Sequence, residues 1–160
     1  MNYLTLAATE APCPPAERDL ECLDAYEREF DYLCRVLRRL GVADAELEDL
    51  AQEVFLVLHQ NWAGYDASRP MRPYLFGIAF RVASNHRRRI KELPSASVDL
   101  EDFSPRPDQA LQAKQARAVV LRALDHVPLP RRAVLLMHHL DEVSMHDIAA
   151  TLSIPLFTAY

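Results

Sequence analysis

The sequence predicts an all-α protein of two small helical modules joined by a flexible linker. Three observations carry that prediction. Apolar residues recur at steps of three and four through most of the chain, the period of one face of a helix. Glycine occurs at only 3 of 160 positions, and the abundance of Leu, Ala, Arg and Glu favours helix over strand. The periodicity breaks across residues 93–107, where Pro94, Pro105 and Pro107 stand among serines and acidic residues. The expected organisation is a flexible lead-in over 1–19, a first module over 20–92, a linker over 93–107 and a second module over 108–160.

The first helix is expected from about Ala16 to Leu40. Leu23, Tyr26, Phe30, Leu33, Leu37 and Leu40 form its stripe, and Gly41 closes it in a left-handed conformation. Asp44 reads as the cap of a second helix reaching about Trp62. Leu47, Leu50, Ala51, Val54, Phe55 and Leu58 line its buried face, and Glu46, Glu48, Asp49, Gln52 and Glu53 its outer face. Turn residues then cluster between Ala63 and Pro73. A third helix is expected over about Met71 to Glu92, burying Leu75, Ile78, Ala79, Val82 and His86. Beyond the linker, helices are expected over about Asp108–Val127 and Pro130–Leu140. Ser144 and Asp147 make a capping-box-like start to a helix over Met145–Leu152. Ser153 to Leu156 turns the chain, and Phe157 to Tyr160 begins a further helix.

The net charge of −5 hides an asymmetry. Residues 1–66 carry 14 acidic and 5 basic groups, whereas residues 67–91 carry 7 basic groups and no acidic one. One basic segment in an acidic chain implies a local polyanion contact together with a different partner elsewhere, not bulk nucleic-acid coating. Cys13, Cys22 and Cys34 match no zinc spacing, and an odd count argues against a disulfide framework. His138, His139 and His146 lack the spacing of a metal cluster. No Gly-rich phosphate loop, nucleophile elbow or His-Glu-x-x-His string occurs, so neither cofactor nor enzymatic activity is expected. The N-terminus has no basic residue before its short apolar stretch and no run of 18 apolar residues exists, so the expected location is the cytoplasm, with no membrane span.

Several strings then make the reading specific. Asp49-Leu50-Ala51-Gln52-Glu53-Val54-Phe55-Leu56 resembles the second-region signature of bacterial sigma factors. Tyr65 to Pro70, Pro73 to Ala79 and His86-Arg87-Arg88-Arg89 resemble the rest of that region. Leu124 to Val134 and Ser144 to Pro155 resemble the fourth region, a helix-turn-helix in this family. The chain thereby resembles small sigma factors of the extracytoplasmic-function type, over about Tyr26 to Tyr160.

The resemblance implies a transcription initiation factor with no catalytic residue of its own. Asp49, Gln52, Glu53 and Phe55 would dock on the clamp helices of the largest subunit of core RNA polymerase; carboxylates and an amide suit pairing with arginines there. The loop Ala63 to Arg72 would pocket a base of the non-template strand at the minus-ten element. Tyr65, Ser68, Arg69, Arg72, Phe76, Arg81, Asn85, Arg87, Arg88 and Arg89 would carry the promoter contact, through phosphate neutralisation and base stacking. Read without the resemblance, the acidic face is a solvated helix surface, and Trp62 and Tyr74 are core aromatics.

The resemblance further implies an anti-sigma partner, and the acidic stretch Asp99 to Asp102 is a candidate nucleic-acid mimic along the polymerase channel. Two departures stand out. The family commonly shows Ala-Arg-Asn where this sequence has Ala79-Phe80-Arg81 and then Asn85. The second helix of the helix-turn-helix is expected to begin near Thr158, too short to read a minus-thirty-five element. Two rival readings follow: a sigma-like decoy that binds an anti-sigma factor without supporting transcription, and a simple helix-turn-helix repressor.

Overall fold

The computed structural model describes residues 15–92 and 109–160, with side chains described within 19–90 and 115–160. The expected linker, its acidic stretch and most of the lead-in lie outside these residues. All regular structure among the described residues is helical. The order is α1 (Pro15–Arg39), a 3₁₀ turn (Asp44–Glu46), α2 (Leu47–Asn61), a 3₁₀ turn (Trp62–Gly64), α3 (Met71–Glu92), α4 (Gln109–Asp125), α5 (Leu129–His139), α6 (Met145–Leu152) and α7 (Leu156–Ala159).

Helices α1, α2 and α3 pack on one another, while α4, α5 and α6 lie against α1 and α3. One continuous apolar core runs through both groups. Leu33, Leu37, Leu50, Val54, Leu75 and Ala79 share it with Leu124, Leu136, Met137 and Ile148. Burial of each of the Leu, Val, Ile and Met side chains among them contributes roughly 1.5–3 kcal/mol. The second group is therefore docked on the first.

This docking changes several sequence expectations. Helix α1 begins at Pro15, inside the expected lead-in; proline suits a first helical turn because its missing N–H needs no partner there. Its buried side comprises Cys22, Ala25, Tyr32, Leu33, Val36, Leu37 and Leu40. Leu23 and Phe30, assigned to the stripe from periodicity, are 39% and 37% exposed. The buried side is rotated because α1 contacts α2, α3 and α4.

Asp44 does not cap α2. It lies within the 3₁₀ turn and accepts a 2.7 Å bond from Arg38 Nε. Helix α5 starts at Leu129, directly after Pro128, and α7 starts at Leu156 after Pro155, two residues ahead of the expected Thr158.

Gly41 behaves as expected, with φ +90°. Ser144 caps α6 by accepting a bond from the Asp147 N–H, but the reciprocal half of a capping box is replaced. The Ser144 hydroxyl donates to Asp147 Oδ2 at 2.6 Å. Ser153 ends α6 at φ 56°, and the Ile154 N–H bonds back to Ala149 O, closing a Schellman-type turn into α7.

Candidate polymerase and nucleic-acid interface

Helix α2 presents two faces because its apolar residues follow the helical period. Leu47, Leu50, Ala51, Val54 and Leu58 are buried. Asp49 and Gln52 stand exposed on the opposite side, with Glu53 half-buried beside them. Glu53 Oε2 lies 3.9 Å from Arg89 Nη1, a loose pairing that leaves both groups accessible. Phe55 is half-buried between the faces, its ring 4.7 Å from that of Tyr26. Tyr26 in turn donates its hydroxyl to Ala51 O at 3.1 Å, and burial pushes its phenol up to about 12. Phe55 thus braces the acidic face as well as bordering it.

The loop after α2 is organised by Asp66. Its Oδ1 accepts the Ser68 N–H at 3.0 Å and the Ser68 hydroxyl at 2.7 Å, an Asx turn that holds the carboxyl below its usual range. Its Oδ2 lies 3.5 Å from Arg69 Nε. Tyr65 donates its hydroxyl to Arg69 O at 2.7 Å. The Trp62, Tyr65 and Tyr74 rings form a file, with centroids 5.3 Å and 4.9 Å apart. All three are half-buried, and burial raises the Tyr65 and Tyr74 phenols. A rigid aromatic file beside exposed Ser68 and Arg69 offers π-faces and donors to an unstacked base.

Helix α3 carries the remaining basic candidates on different sides. Arg72 donates from Nε to Glu29 at 2.9 Å, and its guanidinium lies 5.1 Å from the centre of the Tyr32 ring. The Glu29 contact raises its pKa further. Phe76, a candidate for DNA contact, is only 1% exposed and belongs to the core, so in this arrangement it cannot touch a base. Its packing among core residues is the physical reason. Arg81 is exposed and directs Nη2 toward Thr151 O at 3.5 Å. Asn85, Arg88 and Arg89 are exposed, and Arg87 is half-buried. His86 sits in the expected stripe with Nε2 3.1 Å from Glu46 Oε1.

The residues that periodicity did not single out lie where the two groups of helices meet. Tyr32 donates a 2.6 Å bond to Asp141 Oδ2, and burial together with that bond pushes its phenol well above the usual range. Arg132 is wholly buried. Its Nη1 donates to Asp125 Oδ1 at 3.0 Å and Arg39 O at 3.3 Å, and its Nη2 to Val127 O at 3.3 Å. Nε has no partner, and desolvation lowers the pKa against the opposing pull of Asp125. A signal for Arg132 existed in the sequence. It stands with Ala133, Leu136 and Met137 on the buried face of α5, at an apolar position of the helical period. The pairing with Asp125 had no such signal.

Among the described residues there is no cluster of metal-ligating side chains and no helix long and apolar enough to cross a membrane.

Comparison with known proteins defines the class. Residues 25–92 match the Sigma-70 region 2 family. The sigma factor NccH of Alcaligenes xylosoxydans xylosoxydans is 22% identical over 127 residues, covering 75% of this chain and 68% of its own. The extracytoplasmic-function sigma factor SigW of Bacillus subtilis is 25% identical over 152 residues, covering 86% and 79%. The corresponding sigma-E factor of Escherichia coli is 23% identical over 129 residues, covering 73% and 68%. The fold resembles that of CnrH, solved in complex with the cytosolic domain of CnrY, with a TM-score of 0.63 and 17% identity over 91% of this chain and 84% of that one. The Sigma-70 region 2 match spans most of α1 and all of α2 and α3. The chain as a whole is similar to extracytoplasmic-function sigma factors, which are transcription initiation factors.

Proposed function

We propose that this chain docks on core RNA polymerase through the outer face of α2 and holds the non-template strand of the minus-ten element with the 63–72 loop and α3. The observation that carries the reading is the juxtaposition within residues 25–92 of two unlike surfaces. Asp49, Gln52 and Glu53 offer acceptors for arginines of the polymerase clamp helices. The Trp62–Tyr65–Tyr74 file, with Ser68 and Arg69 at its edge, offers stacking faces and phosphate donors. Asn85, Arg88 and Arg89 extend the donors along α3. The module limits proposed are 20–92 and 108–160, with the intervening segment as a tether. The proposed site of action is the cytoplasm, where polymerase is found.

An anti-sigma protein is the second proposed partner. CnrH is bound by the cytosolic domain of CnrY in the solved structure, which supports a partner of that kind here. A decoy that binds such a partner without opening promoters is the alternative, favoured by the burial of Phe76 and by Phe80-Arg81 in place of the family's usual pair.

The deciding experiment is co-elution of the chain with core polymerase, with Asp49→Arg plus Glu53→Arg as control. Co-elution that the double reversal abolishes supports the docking face. Failure to co-elute at micromolar concentration transfers the proposal to the decoy.

A further inference from the structure

We propose that the cleft between the end of α3 and the α4–α5 turn binds a phosphate dianion, free or carried by a small molecule. The inference is independent of the polymerase reading. Only Arg88, exposed at the edge of the cleft, is shared with the surface proposed for DNA.

The cleft has a volume of about 510 Å³, within the range of small-ligand sites. One wall is a strip of α3. Ser84 stands three and four residues before Arg87 and Arg88, so a hydroxyl and two guanidiniums share one side of the helix. The facing wall is the turn from Asp125 to Pro130, where α5 begins at Leu129. The first N–H groups of that helix have no partner within it, and its dipole adds positive potential at this end.

Positive charge is in excess here. Among the described residues neither Arg87 nor Arg88 makes a hydrogen bond or an ion pair. Asp125 is the only carboxylate on the lining, and its Oδ1 already accepts from Arg132 Nη1 at 3.0 Å. Arg87 and Arg132 converge on one point: a Cβ added at Gly41 would lie 2.8 Å from Arg132 Nη1 and 3.6 Å from Arg87 Nη1. Burial, and then the neighbouring Arg87, lower the Arg132 pKa. Three guanidiniums thus share one carboxylate. A divalent anion with several acceptor oxygens is the group that balances them, and guanidinium forks match phosphate geometry.

The remaining lining suits a small ligand better than a nucleic-acid strand. Pro128 and Pro130 are exposed, with Val127 and Leu129 half-buried beside them, an apolar surface on which a ring attached to the phosphate can lie. A strand, by contrast, is tracked by a continuous basic groove. The next basic residue of α3, Arg89, is drawn toward Glu53 on the α2 side.

Calorimetric titration of the full chain with inorganic phosphate, adenosine monophosphate and adenosine, at constant ionic strength, tests the proposal. Saturable binding of phosphate or of the nucleotide is expected. Tighter binding of the nucleotide identifies an organic phosphate as the ligand, and otherwise the ligand is free phosphate. Adenosine is expected to bind at least about 10-fold more weakly than its monophosphate. Arg87→Gln with Arg88→Gln is expected to weaken binding at least about 10-fold. Pro130→Glu sets a carboxylate at the rim, in a first helical turn that favours one, and is expected to weaken binding at least about 5-fold. Arg28→Gln removes a charge beside Tyr65 instead of at the cleft and is expected to change nothing. Absence of saturable binding by both phosphate and the nucleotide overturns the proposal, as does binding left unchanged by either cleft variant in chain that circular dichroism shows to be folded. Binding of a short single-stranded oligonucleotide alone would give the cleft to a DNA backbone and overturn it as well. Each of these outcomes leaves polymerase co-elution, and the reading it tests, untouched.

Discussion

Asp125→Ala removes the carboxylate that faces the wholly buried guanidinium of Arg132. The pair is 3.0 Å apart. At an effective dielectric of about 20, opposite charges at that distance attract by about 5.5 kcal/mol before desolvation is counted. Asp125 keeps half of its side chain in solvent, and solvent screening reduces the net value. Arg132 also retains Arg39 O and Val127 O as acceptors. The expected loss of stability is about 2–3 kcal/mol, below the 3–5 kcal/mol typical of a fully buried pair broken on one side. Urea unfolding followed by far-ultraviolet circular dichroism measures it. The companion variant Arg132→Met keeps an apolar stem in the cavity and discards the charge. In that background Asp125→Ala is expected to cost less than about 0.5 kcal/mol, since no buried charge remains to be stranded. If Asp125→Ala costs the same in both backgrounds, the ion pair is not what holds the α4–α5 corner, and the reasoning fails.

Three further outcomes follow from single positions. Gly41→Ala is expected to cost about 1–2 kcal/mol in thermal or urea unfolding, because φ +90° is unfavourable for a Cβ and that Cβ would meet Arg132 Nη1 at 2.8 Å. Ser144→Ala removes the acceptor of the Asp147 N–H and is expected to cost about 1 kcal/mol, with hydrogen exchange of the first turn of α6 accelerated. Tyr32 has a folded pKa above its unfolded value, so its contribution is complete below about pH 10 and is lost as pH rises beyond that. Alkaline unfolding of Tyr32→Phe is therefore expected to show a shallower fall in stability above about pH 10 than the parent, and identical slopes would refute the Tyr32 assignment.

Much of the fold was legible because local signals agree with the packing. The α2 stripe of Leu47, Leu50, Ala51, Val54 and Leu58 is buried as its spacing requires. The α3 limits and the Ser144 cap follow from the same kind of pattern. Helix α1 was legible as a helix but not in its orientation. Periodicity favours the most apolar line, Leu23 to Phe30, whereas the packed face includes Cys22, Ala25 and Tyr32. Small and amphipathic residues carry little weight in a periodicity argument, yet they suit close approach and a hydrogen bond to Asp141. Phe76 falls off the expected Leu75–Ile78–Ala79–Val82 stripe of α3, yet it is buried in the core. Nothing in its local spacing reveals that a second module docks on α1 and α3, and long-range partners such as Asp125 and Arg132 are fixed by that docking alone.

The charge pattern acquires a more definite meaning once the pairs are known. Residues 67–91 carry seven basic groups and no acidic one, which taken alone implies a salt slope for DNA binding near −6. In the folded chain Arg69 lies beside Asp66, Arg72 beside Glu29, and Arg89 within 3.9 Å of Glu53. A phosphate that takes one of these arginines must first displace a carboxylate, and the exposed Arg69–Asp66 and Arg89–Glu53 pairs are worth only about 0–1 kcal/mol each, whereas Glu29 is largely shielded from solvent. For the two exposed pairs the exchange is therefore close to neutral in free energy. It releases fewer counterions than neutralisation by an unpaired arginine, because the protein's own carboxylate already served as the counterion. The observed slope should lie closer to −3 or −4 than to −6. Glu29→Gln, which frees Arg72, should steepen it by about one. An unaltered slope in that variant would place Arg72 outside the phosphate contact and confine the DNA surface to the loop and the exposed end of α3.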